Sequence, residues 1–276
     1  MKLMQMADVV RYPRMTTEEL RDTFLVSDLF LPGKICATYV DLDRAVIASA
    51  VPVDTPLSLP TYDILKAAYF LERRELGVLN IGGTGAVTVK GLKYELANLD
   101  GLYIGRGNEE VIFSSADKNH PAEFYLLSYP AHAEYPTQLS RSAELSSVKL
   151  GSPETANQRE IFKFIYQAGI RSCQLVMGFT KLASGSVWNT MPSHTHNRRS
   201  EIYFYFDIAE KERVIHMMGP ANETRHLIIA NKQVAVSPGW SIHSGVGTKN
   251  YTFCWGMGGE NQVYDDMDAL SVADLQ

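Results

Sequence analysis

Cysteine is scarce in this chain of 276 residues: Cys36, Cys173 and Cys254 are odd in number, far apart and set in apolar company. That pattern predicts buried thiols in a reducing compartment, here the cytoplasm, and argues against a disulfide-stapled secreted scaffold. Positive charge is not in excess either. The 26 Lys and Arg residues against 31 Asp and Glu leave a net charge of −5, and no basic run occurs. Both features argue against nucleic acid as a partner. No apolar run approaches the roughly 20 residues of a membrane span. The opening Met1-Lys2-Leu3-Met4-Gln5-Met6-Ala7-Asp8 lacks the continuous apolar stretch of a signal peptide. What remains is ordinary for a globular protein with a sizeable core, 45% hydrophobic and 21% charged, long enough for one large β domain or two smaller ones.

Along the chain, Thr16-x-x-Glu19 is a capping-box pattern, and Leu20, Phe24 and Leu25 give the short helix behind it an apolar side. β signals then dominate. Ile35–Val40 and Ala45–Val51 read as strands joined by a turn at Asp41–Arg44. After a proline-marked loop, Ile64, Leu65, Ala68 and Leu71 recur at helical spacing and predict a helix near Tyr62–Leu76. Gly82, Gly83 and Gly85 invite a phosphate-loop reading, but a strand pattern follows them instead of a helix, so they are expected in a tight hairpin. Short strands continue through Leu102–Gly107, Val111–Ser114 and Phe124–Leu127. Residues 131–158 turn to Ser, Thr, Pro, Glu and Gln and read as a connection. The β rhythm resumes with Cys173–Phe179, Glu201–Asp207, Arg213–Met218, Thr224–Ala230, Gln233–Val236 and Tyr251–Gly256. Two successive β barrels are expected, over residues 1–140 and 141–276, with a few short helices. The acidic Asp265-Asp266-Met267-Asp268 is expected to be solvated, or at most a weak cation site.

The chemistry concentrates between Trp188 and His243. His194 and His196 project from one face of an extended chain, because strand side chains alternate with a period of two, and two such imidazoles can share one metal ion. On its own the pair is as well explained by two surface histidines. Glu201, after four intervening residues, and His243, behind the Pro238-Gly239 turn, are candidates to complete the set. Such a set suits zinc, iron, manganese or nickel. Glu201 lies an odd number of residues after His196, so the two converge only if Asn197-Arg198-Arg199-Ser200 makes a turn or bulge between antiparallel strands. If Glu201 faces inward, so do Tyr203 and Tyr205, either as proton-handling phenols or as aromatic packing. Arg199, on that turn, could clamp a carboxylate or simply be solvated. Of the neighbours Arg225 and His226 only one can point inward, and Trp240 and Lys249 are further candidates near the last histidine. His120, His132 and His216 have no partner pattern and read as structural or exposed.

The order His-x-His, Glu, then Pro-Gly and His resembles the paired motifs of the cupin superfamily. The glycine of the turn stands one place early, and the usual first-motif glycine is off its offset. Longer runs are more specific. Tyr69–Gly77, Trp188–Pro192, His194–Tyr205, His216–Gly219, Glu223–His226, Trp240–Lys249 and Gly259–Val263 resemble the 4-deoxy-L-threo-5-hexosulose-uronate ketol-isomerases, also called 5-dehydro-4-deoxy-D-glucuronate isomerases. That resemblance runs from about residue 35 to the C-terminus. It implies a double-cupin fold and one zinc per subunit on His194, His196, Glu201 and His243; the first half lacks any His-x-His, so as a cupin barrel it would have no metal site of this kind. It also implies a homohexamer and a role in pectin- and glycosaminoglycan-derived uronate catabolism. In the implied reaction a terminal aldehyde becomes an alcohol and the adjacent alcohol a ketone, giving 3-deoxy-D-glycero-2,5-hexodiulosonate. Tyr205, Tyr203 and His226 are candidates to carry the proton, a hydride shift being the alternative, and Arg199, Arg225, Trp240 and Lys249 are candidates to hold substrate. Three rival readings share the fold or the ligands: a 5-deoxy-glucuronate isomerase of inositol catabolism, a metal-dependent cupin dioxygenase, and a non-catalytic sugar-binding double cupin.

Overall fold

Strand after strand of alternating side chains gives this chain two sets of facing sheets. The computed structural model describes residues 1–260 and 262–276. Asn261, within the segment 259–263 that helps carry the resemblance, lies outside the described residues. The chain divides into two compact units, one of residues 1–4, 28–145 and 164–175, the other of 5–27, 146–163 and 176–276.

In the first unit a seven-stranded sheet runs in the order Lys2–Met4, Ile35–Val40, Val46–Ala50, Phe124–Pro130, Arg74–Asn80, Gly101–Ile104, Gln138–Ser140. A four-stranded sheet holds Leu57–Ser58, Val111–Ser115, Gly85–Val89 and Leu92–Leu96. The register sets Leu126 between Ala48 and Val78, and these pack with Val87, Phe113 and Phe124 in one core. In the second unit the larger sheet is Ser147–Leu150, Arg159–Ile165, Val176–Leu182, Thr252–Gly259, Arg199–Phe206, Gln233–Ser237 and Leu25–Val26. Its smaller sheet is Trp188–Asn189, Ile242–Gly247, Val214–Gly219 and Arg225–Ile229.

The expected N-terminal helix is present over Thr17–Phe24 with a complete capping box. Glu19 N–H donates to Thr16 Oγ1 at 3.2 Å, and Thr16 N–H to Glu19 Oε2 at 2.7 Å. The helix expected over 62–76 is not. Only a 3-10 turn forms, at Asp63–Leu65, and it ends on Lys66 in the left-handed region. Side chains take the backbone groups a helix would pair internally: Glu72 accepts from Ala68 N–H, and Arg73 donates to the carbonyls of Leu65 and Lys66. The expected hairpin at Gly82–Gly85 is also absent, because the strands on either side belong to different sheets. A Cβ on Gly83 would sit 2.0 Å from the His120 carbonyl oxygen, so glycine here serves close approach of two backbones. The 131–158 connection carries two short strands, Gln138–Ser140 and Ser147–Leu150. Cys36, Cys173 and Cys254 are free thiols, the last buried and the others half-buried.

One buried carboxylate fixes residues 164–175 within the first unit. Glu75, with 0% exposure, accepts from the backbone N–H groups of Cys173, Gln174 and Leu175 at 2.7 to 2.9 Å and from the Tyr103 hydroxyl at 2.8 Å. Removing it strands several donors away from water. Glu75→Ala is therefore expected to destabilise the protein by about 3 kcal/mol or more, measured as a lower urea midpoint. A loss below about 1 kcal/mol would contradict this role.

Candidate metal centre

Two turns and a pairing with the C-terminal segment bring the second unit's histidines together. His194–Thr195 pairs antiparallel with Asp268–Ala269. The chain turns at Asn197–Arg198, closed by Arg199 N–H to the His196 carbonyl at 3.1 Å, and the strand Arg199–Phe206 begins at once. This turn resets the parity, so Glu201 converges on His196 despite the odd offset. It is shorter than expected, and it links strands of different sheets. His243 follows a second turn, in which Ser241 N–H donates to the Pro238 carbonyl at 2.9 Å. Gly239 lets the two turns pack, since a Cβ there would lie 3.1 Å from Asn197 Cα and the His196 oxygen.

The four side chains meet at one point. His196 Nε2 lies 2.8 Å from Glu201 Oε2, and His243 Nε2 lies 2.9 Å from both Glu201 Oε2 and His194 Nε2. One ligand atom from each lies within 4.8 Å of all the others. His196, Glu201 and His243 are 5% exposed or less, and His194 is half-buried. Nδ1 of His196 faces the Arg199 carbonyl at 3.0 Å and Nδ1 of His243 faces the Ser241 carbonyl at 3.4 Å. Those carbonyls favour a proton on Nδ1, which turns the Nε2 lone pairs to the centre. His243 Nε2, so oriented, faces His194 Nε2 at 2.9 Å, an approach that either a proton on His194 or a cation between the two can sustain. Ligand atoms on a tetrahedral zinc stand about 3.3 Å apart for bonds of about 2.0–2.1 Å, and the separations here run from 2.8 Å to no more than 4.8 Å. The donor set therefore fits one divalent ion.

The electrostatics favour a neutral His194 and an ionised Glu201, while His196 would have to release a proton to ligate. Burial and the neighbouring His243 push His194 down to about 3. Burial alone would raise Glu201, but His243 and His196 outweigh it and hold the carboxylate well below its usual range. Burial opposes protonation of His196 too, yet Glu201 and the Arg199 carbonyl raise it.

A cavity of about 370 Å³ opens beside the cluster, within the usual size of a small-molecule site. Tyr203 lines it, its hydroxyl 2.9 Å from Thr190 Oγ1. Tyr205 sits deeper, off the cavity wall, its hydroxyl 2.8 Å from His216 Nδ1. His216 is the residue that sequence reasoning left without a partner. It is fully buried, on the strand whose Met218 is registered opposite His243, and alternation along that strand is the signal that could have found it. Burial, then His243, pushes it down to about 3.

None of the remaining candidates lines the cavity. Arg199 belongs to a strand, not the turn, and is 2% exposed. Its guanidinium donates to the carbonyls of Val263 at 2.5 Å, Asp266 at 3.1 Å and Tyr264 at 3.5 Å. Arg225 donates to the Met15 carbonyl at 3.1 Å, and His226 is exposed. Trp240 packs edge-on against Tyr12 and Phe24, and Lys249 is exposed beyond the strand Ile242–Gly247. Nor is the acidic segment merely solvated. Arg198 Nε bonds both Asp266 oxygens at 2.8 and 2.9 Å, and Tyr264, Asp265 and Met267 line the cavity.

Residues 56–272 match the sequence model of the KduI/IolB family. The chain belongs to that family. It is 52% identical over 269 residues to a 4-deoxy-L-threo-5-hexosulose-uronate ketol-isomerase of Lachnoclostridium phytofermentans, covering 98% of this chain and 96% of that one. A protein of the same description from Formosa agariphila is 52% identical over 260 residues, 94% of this chain and 93% of the relative. Among solved structures, an IolB-like protein from Salmonella typhimurium LT2 superposes with a TM-score of 0.72 at 13% identity, covering 90% of this chain and 96% of the other. An oxalate decarboxylase from Lactobacillus farciminis gives 0.61 at 10% identity, covering 90% and 88%. The fold of this family member is mainly β, that of a double cupin.

A pH dependence follows for the metal-free protein. A histidine whose folded pKa is depressed stays neutral while the unfolded chain takes up a proton. Stability is therefore full above pH 6.5 and is lost as pH falls toward the folded value. For His216, held at about 3, the loss is about 1.4 kcal/mol per pH unit. The denaturation midpoint should fall steadily between pH 6.5 and 4, and His216→Gln should flatten the slope. A flat wild-type profile would contradict the burial of neutral His216.

Proposed function

We propose that this chain is an aldose–ketose isomerase that converts 5-dehydro-4-deoxy-D-glucuronate to 3-deoxy-D-glycero-2,5-hexodiulosonate, with zinc held by His194, His196, Glu201 and His243. The observation that carries this reading is near-full-length 52% identity to a ketol-isomerase of that uronate. The convergent group of three histidines and one glutamate, beside a cavity of suitable size, supports it. A divalent ion held by that group would supply Lewis acidity to the substrate carbonyl. The reaction is redox-neutral: one hydrogen leaves the carbinol carbon, one joins the former aldehyde carbon, and the hydroxyl proton changes oxygen.

The chain's own residues give the rest of the mechanism. Burial, then the charge of Glu201, holds the Tyr203 phenol well above its ordinary value, so it keeps its proton at neutral pH. Its hydroxyl shares a hydrogen bond with Thr190, and where the threonine donates, the phenol is free to donate to substrate and to pass a proton between the two substrate oxygens. Tyr205 and His216 support it from behind, with ring centroids 5.9 and 5.7 Å from Tyr203. Phe253 and Trp255 wall the cavity and help exclude water.

A homohexamer belongs to the same reading on the ground of the family resemblance, a cytoplasmic setting on the three scattered cysteines, and a first barrel without its own metal on its lack of any His-x-His. The high identity to uronate ketol-isomerases favours this substrate over 5-deoxy-glucuronate and favours isomerisation over dioxygenation.

Purified zinc-loaded protein given 5-dehydro-4-deoxy-D-glucuronate should form the 2,5-diketo acid without consuming oxygen. Tyr203→Phe should keep its metal and lose about 100-fold or more in kcat, with a smaller loss for Tyr205→Phe. No product from the metal-loaded wild type would overturn the function. Full activity in Tyr203→Phe would remove that phenol from the chemistry.

A further inference from the structure

A sugar acid bound beside the metal group needs a fixed cation for its carboxylate, and the arginine expected for that task is spent elsewhere. Arg199 gives its donors to three backbone carbonyls of the C-terminal segment. Among the described residues that line the cavity, Arg159 and Lys163 are the two with a permanent positive charge. Both belong to the strand Arg159–Ile165, where the period of two puts residues 159, 161 and 163 on one face, and Ile161 lines the cavity between them. Lys163 holds its ammonium 3.7 Å over the ring of Tyr264. Arg159 donates one Nη1 bond, to the Asn157 carbonyl at 2.9 Å, and the rest of its fork has no other partner among the described residues.

The position of Arg159 is built. Asn157 Oδ1 accepts from Ser152 N–H at 3.1 Å and from Thr155 Oγ1 at 2.6 Å, which fixes the carbonyl that Arg159 leans on. Gly151 closes the same turn with φ +83, and a Cβ there would stand 2.2 Å from the Asn157 oxygen. The phenols of Tyr203, Tyr264 and Tyr251 lie near enough to act on the Arg159 charge, although burial, the largest influence, lowers its pKa. Tyr203 is shared with the metal side of the cavity, so the two ends of the site meet across it.

We infer that Arg159 is the specificity-determining residue that receives the substrate carboxylate, its guanidinium fork binding both oxygens while the carbonyl end lies at the cluster of His194, His196, Glu201 and His243. This rests on the proposed isomerase reading for the identity of the substrate, and not for the preference for a carboxylate. A bidentate Arg–carboxylate pair is stronger and more directional than a lysine contact, which favours Arg159 over Lys163.

Arg159→Gln and Arg159→Lys, with Arg225→Gln as an off-site control, test the inference in metal-loaded protein. Arg159→Gln should raise KM for 5-dehydro-4-deoxy-D-glucuronate about 100-fold with kcat changed only a few-fold. Metal content should be unchanged, Arg159→Lys should recover part of the loss, and the control should behave as wild type. Independently of turnover, calorimetry should show wild type preferring D-glucuronate over D-glucose and Arg159→Gln losing that preference. A KM within twofold of wild type would overturn the inference, as would wild type without preference for the acid or a variant weakened equally toward both sugars. If wild type prefers the acid through Arg159 yet isomerises nothing, the isomerase reading falls and the carboxylate site stands.

Discussion

Three imidazoles and a carboxylate with Nε2 and Oε2 atoms 2.8–2.9 Å apart, buried in the second unit, form the constraint on which the rest of this structure depends. Buried polar atoms at this spacing need shared protons or a cation between them, and tight packing of the surrounding turns to hold them. The fold supplies that packing. The turn at Asn197–Arg198 corrects an odd sequence offset, Gly239 lets the second turn lie against it, and backbone carbonyls orient two of the rings.

The same region shows why the C-terminal segment matters. Arg198 and Arg199 are adjacent yet act in opposite directions. One pairs with the Asp266 carboxylate near the surface, and the other is buried against the segment's backbone. Together with the pairing of His194–Thr195 to Asp268–Ala269, they fasten Tyr264, Asp265 and Met267 over the cavity. Arg199, close in sequence to the histidine cluster, thus shapes the site's wall, and the cation inferred to meet substrate comes from Arg159–Ile165, a strand distant in sequence.

The four convergent residues were legible in the sequence because His-x-His, an acid and a Pro-Gly-led histidine are short-range patterns with a direct chemical meaning. The inward alternation of Glu201, Tyr203 and Tyr205 was legible for the same reason, though depth was not, and of the two phenols Tyr203 alone reaches the cavity. Alternation along its strand could have turned His216 inward, but its place beside Tyr205 and His243 needed a cross-strand register that no local pattern gives. Arg159 and Lys163 bear no motif, and the segment just before them reads as a connection. The helix expected over 62–76 shows the opposite failure. Its apolar spacing is genuine, but Ile64 is 43% exposed, and side-chain bonds from Glu72 and Arg73 capture the backbone first. The acidic residues 265–268 look solvated by composition because the two arginines that hold them lie more than 60 residues away in sequence.

The most direct measurement is anomalous diffraction at the zinc edge on crystals of protein purified without chelator. The account predicts one peak per chain, bonded to Nε2 of His194, His196 and His243 and to the Glu201 carboxylate, at about 2.0–2.2 Å. Absence of a peak there in fully active protein, or a peak bonded to other residues, would contradict it.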